Sequence, residues 1–287
     1  MGSRYMYKEI ISNVSNALIY AGSVFSPDRI DAYKHAIVHE TDLSQRWIME
    51  LILENAIIAE QNRSPLCDDT GIPHLLIEIG KNRHISGSMM NAIQLGIEDG
   101  LRKLPGRPMA VIGDDIQRVE QSGRLADDSG AVEPAPVLIR TIDEDVIRLY
   151  IIMQGGGPEI RAKTYRIFHE HNANTVKDEI IKWAIDSVAK LGCTPCTLAI
   201  GIGRSHYEAA SLMMEAQVYG RYNEQSDYEK AITDKVNESR IGALGLRGKV
   251  TVLASFVKVG PQRASGVRIV ALRPCCCVEP RIGCVEL

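Results

Sequence analysis

The first sixty residues of the chain follow a helical periodicity, whereas the residues after them do not. Ile10, Val14 and Leu18 recur at helical spacing, and a second, stronger helix is predicted over residues 43–61. The apolar residues on one face of this helix are Trp47, Leu51, Ile52, Ala56 and Ile57. We expect this face to pack against the core, because the apolar stripe of an amphipathic helix is usually buried. From residue 63 onward, loops rich in Gly, Pro and Asp separate short apolar runs from helical stretches, which predicts a mixed α/β fold.

The remainder of the chain is predicted to alternate between strands and helices. Strands are predicted at residues 75–79, 137–140, 146–153, 198–203, 249–258 and 267–272, and helices at residues 88–101, 175–190, 205–217 and 228–239. Residues 106–136 have no clear period and are predicted to form a long loop. Without a repeat or a Pro/Ser-rich linker, we expect one domain over residues 1–287. It would combine a helical N-terminal scaffold at 1–62 with strand and helix lobes at 63–287 around the functional site.

The composition is that of an ordinary globular protein. The chain has 287 residues, of which 45% are hydrophobic and 24% charged, and its net charge is -3. The absence of a basic tail or block argues against a general nucleic-acid or membrane-surface binder. No stretch approaches the ~20 apolar residues of a membrane span, and the first residues lack the pattern of a secretory leader. We therefore expect a soluble, cytoplasmic protein.

The cysteines are the first indication of chemistry. The seven are Cys67, Cys193, Cys196, Cys275, Cys276, Cys277 and Cys284. An odd number without a secretory leader does not fit a disulfide framework, and clustered thiols in a reducing cytosol more often indicate metal or redox chemistry. Cys67, Cys193 and one of Cys275–Cys277 lie in or after loops rich in Gly, Pro and Asp. Cys196 and Cys284 are expected to be small buried side chains, since free cysteine is among the most buried residue types.

The spacing of these thiols leaves more than one kind of metal site open. A zinc ribbon uses paired C-x-x-C knuckles, and a ferredoxin uses four closely spaced thiols. Cys193 and Cys196 have knuckle spacing, but the sequence has no second such pair. Three isolated thiolates fit a [4Fe–4S] cluster with one open iron, which acts as a Lewis acid on a substrate hydroxyl or carboxylate.

Four motifs, in order and with matching spacing, resemble those of one enzyme family. They are PLCDDTG at residues 65–71, GGG at residues 155–157 with Glu159, CTP at residues 193–195, and Cys277 with Arg281 and Gly283. The family's motifs read P-x-C-Q-D-T-G, a glycine triplet followed by S-E, C-P-P, and C-x-x-x-R-x-G. Over residues 40–287 the chain therefore resembles the class I fumarase and L-tartrate dehydratase family.

This resemblance implies an iron–sulfur hydro-lyase that adds water to, or removes it from, a small hydroxy-dicarboxylic acid of the fumarate/malate or tartrate type. It implies a [4Fe–4S] cluster on Cys67, Cys193 and Cys277, while counting from upstream gives Cys275 as the alternative third ligand. Asp69 is implied as the catalytic residue, a carboxylate that orients or shuttles a proton. The implied substrate-binding residues are Asp68, Thr70, Gly155, Gly156, Gly157 and Arg281.

The resemblance also implies a partner. Single-chain members continue into a second, smaller domain, whereas this sequence stops ten residues after Cys277, as the alpha subunit of two-chain members does. We therefore expect a separate beta subunit of ~200 residues, a size that folds on its own. That subunit is expected to supply basic substrate-binding residues. An α2β2 assembly or a homodimer of this chain is expected.

The sequence departs from the family pattern at several positions. Asp68 replaces Gln, Cys196 replaces the second Pro of C-P-P, and residues 262–265 lack the family's His. Arg107 or Arg118 is expected to stand in for the Arg of the family's L-R-x-N element. These departures leave the substrate open.

Several alternatives stay open at the level of sequence. The chain is alternatively a non-catalytic iron–sulfur or redox-sensing subunit, or a zinc-binding structural module built from Cys193, Cys196 and the C-terminal thiols. Locally, residues 68–70 alternatively form an Asx-type turn, and residues 155–157 a tight turn. Residues 128–130 weakly resemble the family's N-T/S-G loop.

Overall fold

The predicted alternation of helices and strands is confirmed in the computed structural model, which describes residues 2–104, 106–107 and 109–287. The helices are α1 Gly2–Ser23, α2 Pro27–His39, α3 Leu43–Asn62, α4 Gly87–Lys103, α5 Asp115–Glu120, α6 Gly156–Glu159, α7 Ala173–Ala189, α8 His206–Tyr219 and α9 Asp227–Asn237. The strands are β1 Ile72–Gly80, β2 Leu138–Ile142, β3 Ile147–Gln154, β4 Lys163–Phe168, β5 Cys196–Gly203, β6 Val252–Val259, β7 Val267–Cys275 and β8 Ile282–Glu286. The strands β4 and β8 were not predicted. The fold is mixed α/β, as expected.

The chain folds into two compact units, each made of separate segments. The first unit comprises Met1–Val24, Ala56–Gly155 and Arg281–Leu287, and the second comprises Phe25–Asn55 and Gly156–Pro280. Each unit has one four-stranded mixed sheet. The interpretation of residues 1–287 as one domain stays a prediction.

The first unit is built on a sheet of strand order β2-β1-β3-β8. The pair β1–β2 is parallel, whereas β1–β3 and β3–β8 are antiparallel. The helices α1 and α4 pack closely against each other, because α4 places glycines at two positions of the contact. A Cβ atom at Gly96 would lie 2.6 Å from Val14 Cβ, and one at Gly100 would lie 3.0 Å from Leu18 Cβ. The core of this unit therefore lies between the helix pair and the sheet.

The second unit is built on a sheet of strand order β4-β7-β5-β6. All eight residues of β5 are buried, which confirms the prediction of a buried strand from its continuous apolar run. The strands β5 and β7 are antiparallel, with Thr197 opposite Cys275 and Gly203 opposite Ile269. The start of β5 and the end of β7 therefore share one edge of the sheet. The helix α8 begins after Ser205, whose side chain accepts a hydrogen bond from the Glu208 N–H group, so the predicted N-cap is confirmed.

The buried face of α3 agrees with the predicted one only at Ala56, which is buried, and in part at Ile52, which is half-buried. Exposed fractions are 60% for Trp47, 42% for Leu51 and 52% for Ile57, so these residues of the expected core stripe face solvent. The buried hydrophobic residues of this helix are Ile48, Met49, Ala56 and Ala59. Apolar residues occupy more than one face of α3. The periodicity therefore identified the helix but could not identify the face that packs.

The predicted loop at residues 106–136 is largely irregular, but it contains the short helix α5. Asp114 caps α5 by accepting from the Gln117 N–H group at 2.9 Å, while the Gln117 side chain accepts from the Asp114 N–H group at 3.0 Å. Pro108 lies outside the described residues, as do Met1 and Pro105. Within the described part of the chain, no helix combines the length and the apolar character needed to cross a membrane.

Candidate functional site

The loop that carries Cys67 connects α3 to β1 in the first unit. Leu66 anchors this loop, because its side chain is buried and its N–H group donates to the Gly22 carbonyl at 2.9 Å. Cys67 itself is half-buried. The loop turns into β1 at Gly71, whose φ of +85° favours glycine. A Cβ atom there would lie 2.7 Å from Arg281 Nη2, so the tight turn also needs the absence of a side chain.

Asp68, which replaces the family's Gln, is exposed and faces a cation. Its Oδ2 lies 3.3 Å from Arg107 Nη1, in an ion pair whose two side chains are more than half exposed. The added negative charge of Asp68 is therefore partly offset within the first unit. Of the two arginines considered as stand-ins for the family's Arg, Arg107 lies beside this loop, whereas Arg118 pairs with Asp115 on α5.

The predicted catalytic residue, Asp69, is held through its backbone by Arg281. Arg281 is 2% exposed, and its Nη1 donates to the Asp69 carbonyl at 2.9 Å. Its Nε donates to the Met153 carbonyl at 3.2 Å, which ties the loop to the end of β3. These contacts make Arg281 a residue that positions the Cys67 loop. Its predicted contact with substrate stays a prediction.

Two buried polar atoms near this turn have no hydrogen-bond partner within the described residues. They are the Thr70 hydroxyl and the Gln154 amide nitrogen, on side chains that are 3% and 5% exposed. Thr70 was predicted to contact substrate, whereas Gln154 was missed because a glutamine at the end of a strand carries no signal in the sequence. Burying an unsatisfied polar group is costly. Both groups are therefore candidates for contacts with a bound molecule.

The second unit brings two of the predicted thiol ligands together. Cys193 follows α7 and Gly192, and Cys277 follows β7, at the same edge of the sheet. The Cys277 N–H group donates to the Cys193 carbonyl at 2.8 Å, and the two thiols also form a hydrogen bond. This hydrogen bond lowers the pKa of Cys193 and raises the pKa of Cys277. Cys193 is exposed and Cys277 is half-buried, so both are accessible at the surface of the unit.

Thr194 fixes the segment between Cys193 and β5. Its hydroxyl donates to the Gly242 carbonyl at 2.5 Å and accepts from the Gly245 N–H group at 3.2 Å. Its carbonyl accepts from the Leu244 N–H group at 3.0 Å. The position of Cys193 is therefore set by a buried network rather than by a flexible loop.

The other cysteines of the second unit are less suited to bind metal. Cys275 ends β7 with no exposed surface, and burial raises the pKa of its thiol. Cys196 begins β5 and is also fully buried, as predicted, with a pKa raised by burial. Cys276 is 9% exposed. In the first unit, Cys284 lies on β8 and is exposed, so the prediction of a buried side chain was wrong, because β8 was not recognised as a strand with an exposed face.

A buried arginine of α2 holds the segment that contains Cys277. The Arg29 side chain is 2% exposed, and its two Nη atoms donate to four successive backbone carbonyls. These belong to Cys277 at 2.6 Å, Val278 at 2.8 Å, Glu279 at 2.6 Å and Pro280 at 3.1 Å. We refer to residues 277–280 as the Cys277 segment. The sequence could not reveal this contact, because 248 positions separate Arg29 from Cys277.

Further side chains of the second unit support the same arrangement. The Tyr33 hydroxyl donates to the Cys277 carbonyl at 2.8 Å. Arg29 lies over the Phe25 ring at 4.1 Å from its centroid, and that ring stacks with Tyr33. Behind the Cys277 segment, the fully buried Arg273 pairs with Glu279, which is itself 1% exposed. The segment is therefore held from two sides.

The glycine triplet spans the boundary of the two units. Gly155 is the last residue of the segment Ala56–Gly155 of the first unit. Gly156 and Gly157 begin the one-turn helix α6 in the second unit. A Cβ atom at Gly157 would meet nothing within 4 Å, so packing does not require a glycine there. Glu159, at the end of α6, forms an ion pair with Arg273. A substrate contact by the triplet stays a prediction.

The loop at residues 128–130 has a local structural role. Asp128 Oδ1 accepts from the Gly130 N–H group at 2.9 Å, and the Asp128 carboxylate pairs with Arg102 at 2.8 Å. Hydrogen bonding from Arg102 lowers the pKa of Asp128. A Cβ atom at Gly130 would lie 2.8 Å from the Arg102 guanidinium carbon, which explains the glycine.

The donor chemistry of these residues fits an iron–sulfur cluster better than a single metal ion. Within residues 2–104, 106–107 and 109–287, no three His, Cys, Asp or Glu side chains gather closely enough for one ion. Cys196 is enclosed in β5, so a zinc knuckle with Cys193 is not formed. In a cluster each thiolate binds a different iron, and the ligands need not meet at one point. In the second unit, Cys193 and Cys277 are two accessible thiols that could each bind one iron of such a cluster.

Comparison with known proteins decides the family. The family described as fumarate hydratase (fumerase) matches residues 11–284. The chain belongs to the fumarate hydratase family. Its members are hydro-lyases, so the prediction of a carbon–oxygen lyase is confirmed, and so is the resemblance drawn from the four motifs.

The relatives of this fumarate hydratase family member are named either as L(+)-tartrate dehydratase alpha subunits or as a class I fumarate hydratase. It is 26% identical over 263 residues to a putative L(+)-tartrate dehydratase subunit alpha of Methanocaldococcus jannaschii, covering 87% of this chain and 88% of the relative. It is 21% identical over 271 residues to the L(+)-tartrate dehydratase subunit alpha of Escherichia coli, covering 91% and 86%. It is 30% identical over 221 residues to a putative class I fumarate hydratase of Geobacillus stearothermophilus, covering 72% of this chain but 41% of that protein.

Proposed function

We propose that this chain is the alpha subunit of a [4Fe–4S]-dependent hydro-lyase that acts on a small hydroxy-dicarboxylic acid of the fumarate/malate or tartrate type. The observation that carries the proposal is the hydrogen-bonded pair of Cys193 and Cys277, because both lie at family motifs and at the surface of the second unit. Cys67 is the third proposed ligand. Its motif and its accessible loop support this role.

Cys277 is preferred to Cys275 as a ligand on physical grounds. Ligation needs a thiol that a cluster can reach, and Cys275 has no exposed surface, whereas Cys277 is half-buried. The Cys275 thiol also donates a hydrogen bond to Gln217 Oε1, with 3.7 Å between the sulfur and the oxygen. Cys277 instead adjoins Cys193 at the edge of the sheet. We therefore assign the ligands as Cys67, Cys193 and Cys277.

The proposed reaction removes a proton from one carbon of the substrate and a hydroxyl group from the next, or reverses this step. The cluster, when bound, supplies an open iron that polarises the hydroxyl. We assign the proton shuttle to Asp69, whose backbone Arg281 fixes. The Thr70 hydroxyl and the Gln154 amide, both buried without a partner among the described residues, are proposed to orient the substrate. Gly157 is proposed to allow close approach of the substrate.

A separate beta subunit belongs to the proposal. The two L(+)-tartrate dehydratase relatives are named as alpha subunits, and the chain spans 86–88% of their length. A beta subunit is proposed to supply the cations that bind the substrate carboxylates. We propose that the assembly works in the cytoplasm, where thiols are kept reduced.

Anaerobic reconstitution with iron and sulfide tests the ligand assignment. We expect about four irons per chain and a visible charge-transfer absorbance. Changing Cys67, Cys193 or Cys277 to Ser is expected to lower the iron content markedly. Cys275→Ser and Cys284→Ser serve as matched controls and are expected to retain it. Loss of iron in Cys275→Ser, with retention in Cys277→Ser, would show that the assignment of the third ligand is wrong.

Activity then separates a hydro-lyase from a non-catalytic iron–sulfur subunit. The loaded chain with its beta subunit is expected to dehydrate malate or tartrate, and Asp69→Asn is expected to lower kcat while the iron content stays unchanged. A chain that binds the cluster but leaves both acids unchanged would contradict the substrate class. A chain that binds zinc but no iron would contradict the proposal as a whole.

A further inference from the structure

A cavity of about 420 Å³ lies at the edge of the second unit's sheet that is opposite to the cysteines. The ends of β5 and β6, the start of β7 and the loop that enters α7 surround it. Because β5 runs for eight residues from the cysteine edge to this cavity, the two places are about 25 Å apart. The cavity is therefore distinct from the pair of Cys193 and Cys277.

Part of the cavity wall is apolar. Ala173 and Val176 of α7 form one side, and Ile202 and Val259 form another. The volume is within the range of small-molecule sites in proteins, roughly 300–1,000 Å³. Such walls favour a ligand with an apolar body, because transferring apolar surface out of water is favourable.

One side of the cavity presents a guanidinium group. Arg268 is half-buried, and its Nη1 donates to the carbonyls of Ser265 at 3.1 Å and Val267 at 3.0 Å. The described residues that line the cavity include no Asp or Glu. Arg268 also forms no ion pair with a carboxylate among the residues the structure describes. The guanidinium group is therefore oriented by two backbone carbonyls and has no paired carboxylate among the described residues.

The loop before α7 holds an imidazole at the same cavity. His169 Nε2 donates to the Ser265 carbonyl at 2.7 Å, and its Nδ1 accepts from the His171 N–H group at 2.9 Å. Glu170 and His171 both have left-handed backbones, with φ of +48° and +53°, a conformation that is costly for residues other than glycine. This turn places His171 and the start of α7, capped by Asn172, at the cavity.

Two further polar side chains complete the lining. Gln262 Nε2 donates to the carbonyls of Ile202 at 3.2 Å and Gly260 at 3.0 Å, which fixes this side chain at the rim. Burial, together with the nearby Asp178 carboxylate, raises the pKa of Tyr228 to about 12. The Tyr228 hydroxyl therefore stays protonated near neutral pH and can donate a hydrogen bond.

We propose that this cavity binds a small organic carboxylate with an apolar body, with the carboxylate on Arg268 and the body against Val176 and Val259. An arginine fork binds a carboxylate through charge-assisted hydrogen bonds, which are stronger than neutral ones. The hydrogen bonds of Arg268 to carbonyls leave its other N–H groups for the ligand. This inference goes beyond the proposed function and does not depend on it, because the site lies at the other edge of the sheet.

Titration of the full chain with benzoate, followed by ligand-observed NMR, tests the proposal. We expect saturable binding with a Kd of about 1 mM or below. Arg268→Gln is expected to weaken binding by roughly tenfold, since the charge-assisted contact is lost. Arg268→Lys, which keeps the cation, is expected to weaken it less. The matched control is Arg166→Gln, because Arg166 is exposed on β4 and does not line the cavity.

Two further probes test separately the contact of the carboxylate with Arg268 and the contact of the apolar body with the cavity wall. Benzyl alcohol, which keeps the ring but lacks the charge, is expected to bind roughly tenfold more weakly than benzoate. Inorganic phosphate, which lacks the apolar body, is expected not to displace benzoate. Equal benzoate binding by wild type and a folded Arg268→Gln variant would overturn the proposal. So would an absence of saturation up to about 10 mM, or displacement of benzoate by phosphate at equal concentration.

Discussion

The Cys67 loop of the first unit and the Cys277 segment of the second are held by the same means but to different degrees. Each has a buried arginine that donates to backbone carbonyls beside the proposed ligand. Arg281 binds the Asp69 carbonyl and the end of β3, whereas Arg29 binds four successive carbonyls of one segment. The fork of a guanidinium can span several acceptors at once. A short segment after a strand can therefore be fixed by a single side chain.

The difference between the two regions concerns what is left unsatisfied. Around the Cys67 loop, the Thr70 hydroxyl and the Gln154 amide lack partners among the described residues. Around Cys277, the thiol pair and the carbonyls of residues 277–280 have partners in one another, in Arg29 and in Tyr33, and one buried atom without a partner among the described residues is Arg29 Nε. The two regions thus differ in the kind of group that lacks a partner, which is a hydroxyl and an amide in the first and a guanidinium N–H group in the second. The following substitutions test this comparison.

Arg29→Met is expected to have the largest effect. It removes the Arg29 donor from four carbonyls of residues 277–280, of which the Cys277 carbonyl keeps Tyr33, and unsatisfied buried acceptors cost about 1–3 kcal/mol each before relaxation. We expect the free energy of unfolding to fall by roughly 4 kcal/mol in urea denaturation. Lys34→Met on the same helix, which removes only an exposed ion pair, should change it by less than about 0.5 kcal/mol. A loss below about 1 kcal/mol in Arg29→Met would contradict the role of Arg29.

Gly71→Ala is expected to have the next largest effect. The φ of +85° and the 2.7 Å approach of Arg281 Nη2 both oppose a Cβ atom there. We expect a loss of about 2–3 kcal/mol in the free energy of unfolding, measured by the same method. Gly87→Ala is the matched control, because a Cβ atom there would meet nothing within 4 Å, and it should be neutral or slightly stabilising. Similar values for the two variants would show that the turn at Gly71 is not constrained.

Tyr33→Phe isolates one hydrogen bond of the second region. Removing the hydroxyl leaves the Cys277 carbonyl bound to Arg29 alone, so we expect a loss of about 1 kcal/mol. If Tyr33 positions the ligand segment, the reconstituted variant should also release iron faster under a chelator than wild type. The exposed Tyr20 provides the control variant Tyr20→Phe. If stability and iron release are unchanged in Tyr33→Phe, the Tyr33 hydroxyl does not help to hold the Cys277 segment.

The smallest expected effect is a change in thiol reactivity with pH. The hydrogen bond from Cys277 lowers the pKa of Cys193 to about 6, so its thiolate should form below pH 7 and react with iodoacetamide there. In Cys277→Ala this hydrogen bond is lost, and the midpoint of the rate against pH should rise toward the ordinary thiol value of about 8.5. Mass spectrometry of the Cys193 peptide after timed alkylation provides the measurement. An identical midpoint in both proteins would show that the thiols do not interact.

Local patterns predicted most of the secondary structure, but not which face of an element would pack. A continuous apolar run such as that of β5 is compatible with burial on both faces of a strand, and the burial of β5 was predicted correctly. In α3, apolar residues on several faces left the choice to tertiary packing, and the stripe of Trp47 and Leu51 was assigned to the wrong side. The strand β8 was missed because its pairing with β3 spans more than a hundred positions.

The sequence predicted candidate site residues only where they belong to a recognisable motif. Cys193 and Cys277, which the structure brings together, were singled out because a motif carries each of them. Counting along the sequence gave both Cys275 and Cys277 as the third ligand, because it could not show that β7 extends to Cys275. Arg29 and Gln154 were missed for a related reason. Their roles come from contacts with the backbone or from burial, neither of which leaves a local pattern.

The pairing of β8 with β3 has a consequence for synthesis on the ribosome. The sheet of the first unit lacks β8 until residues 282–286 emerge, long after β1, β2 and β3 have been made. Until then β3 is an edge strand with unpaired N–H and C=O groups, which is a known route to aggregation. Arg281, which donates to the Asp69 carbonyl, directly precedes β8 in the sequence. The Cys67 loop therefore lacks this donor until the same stage of synthesis at which β3 gains its partner strand.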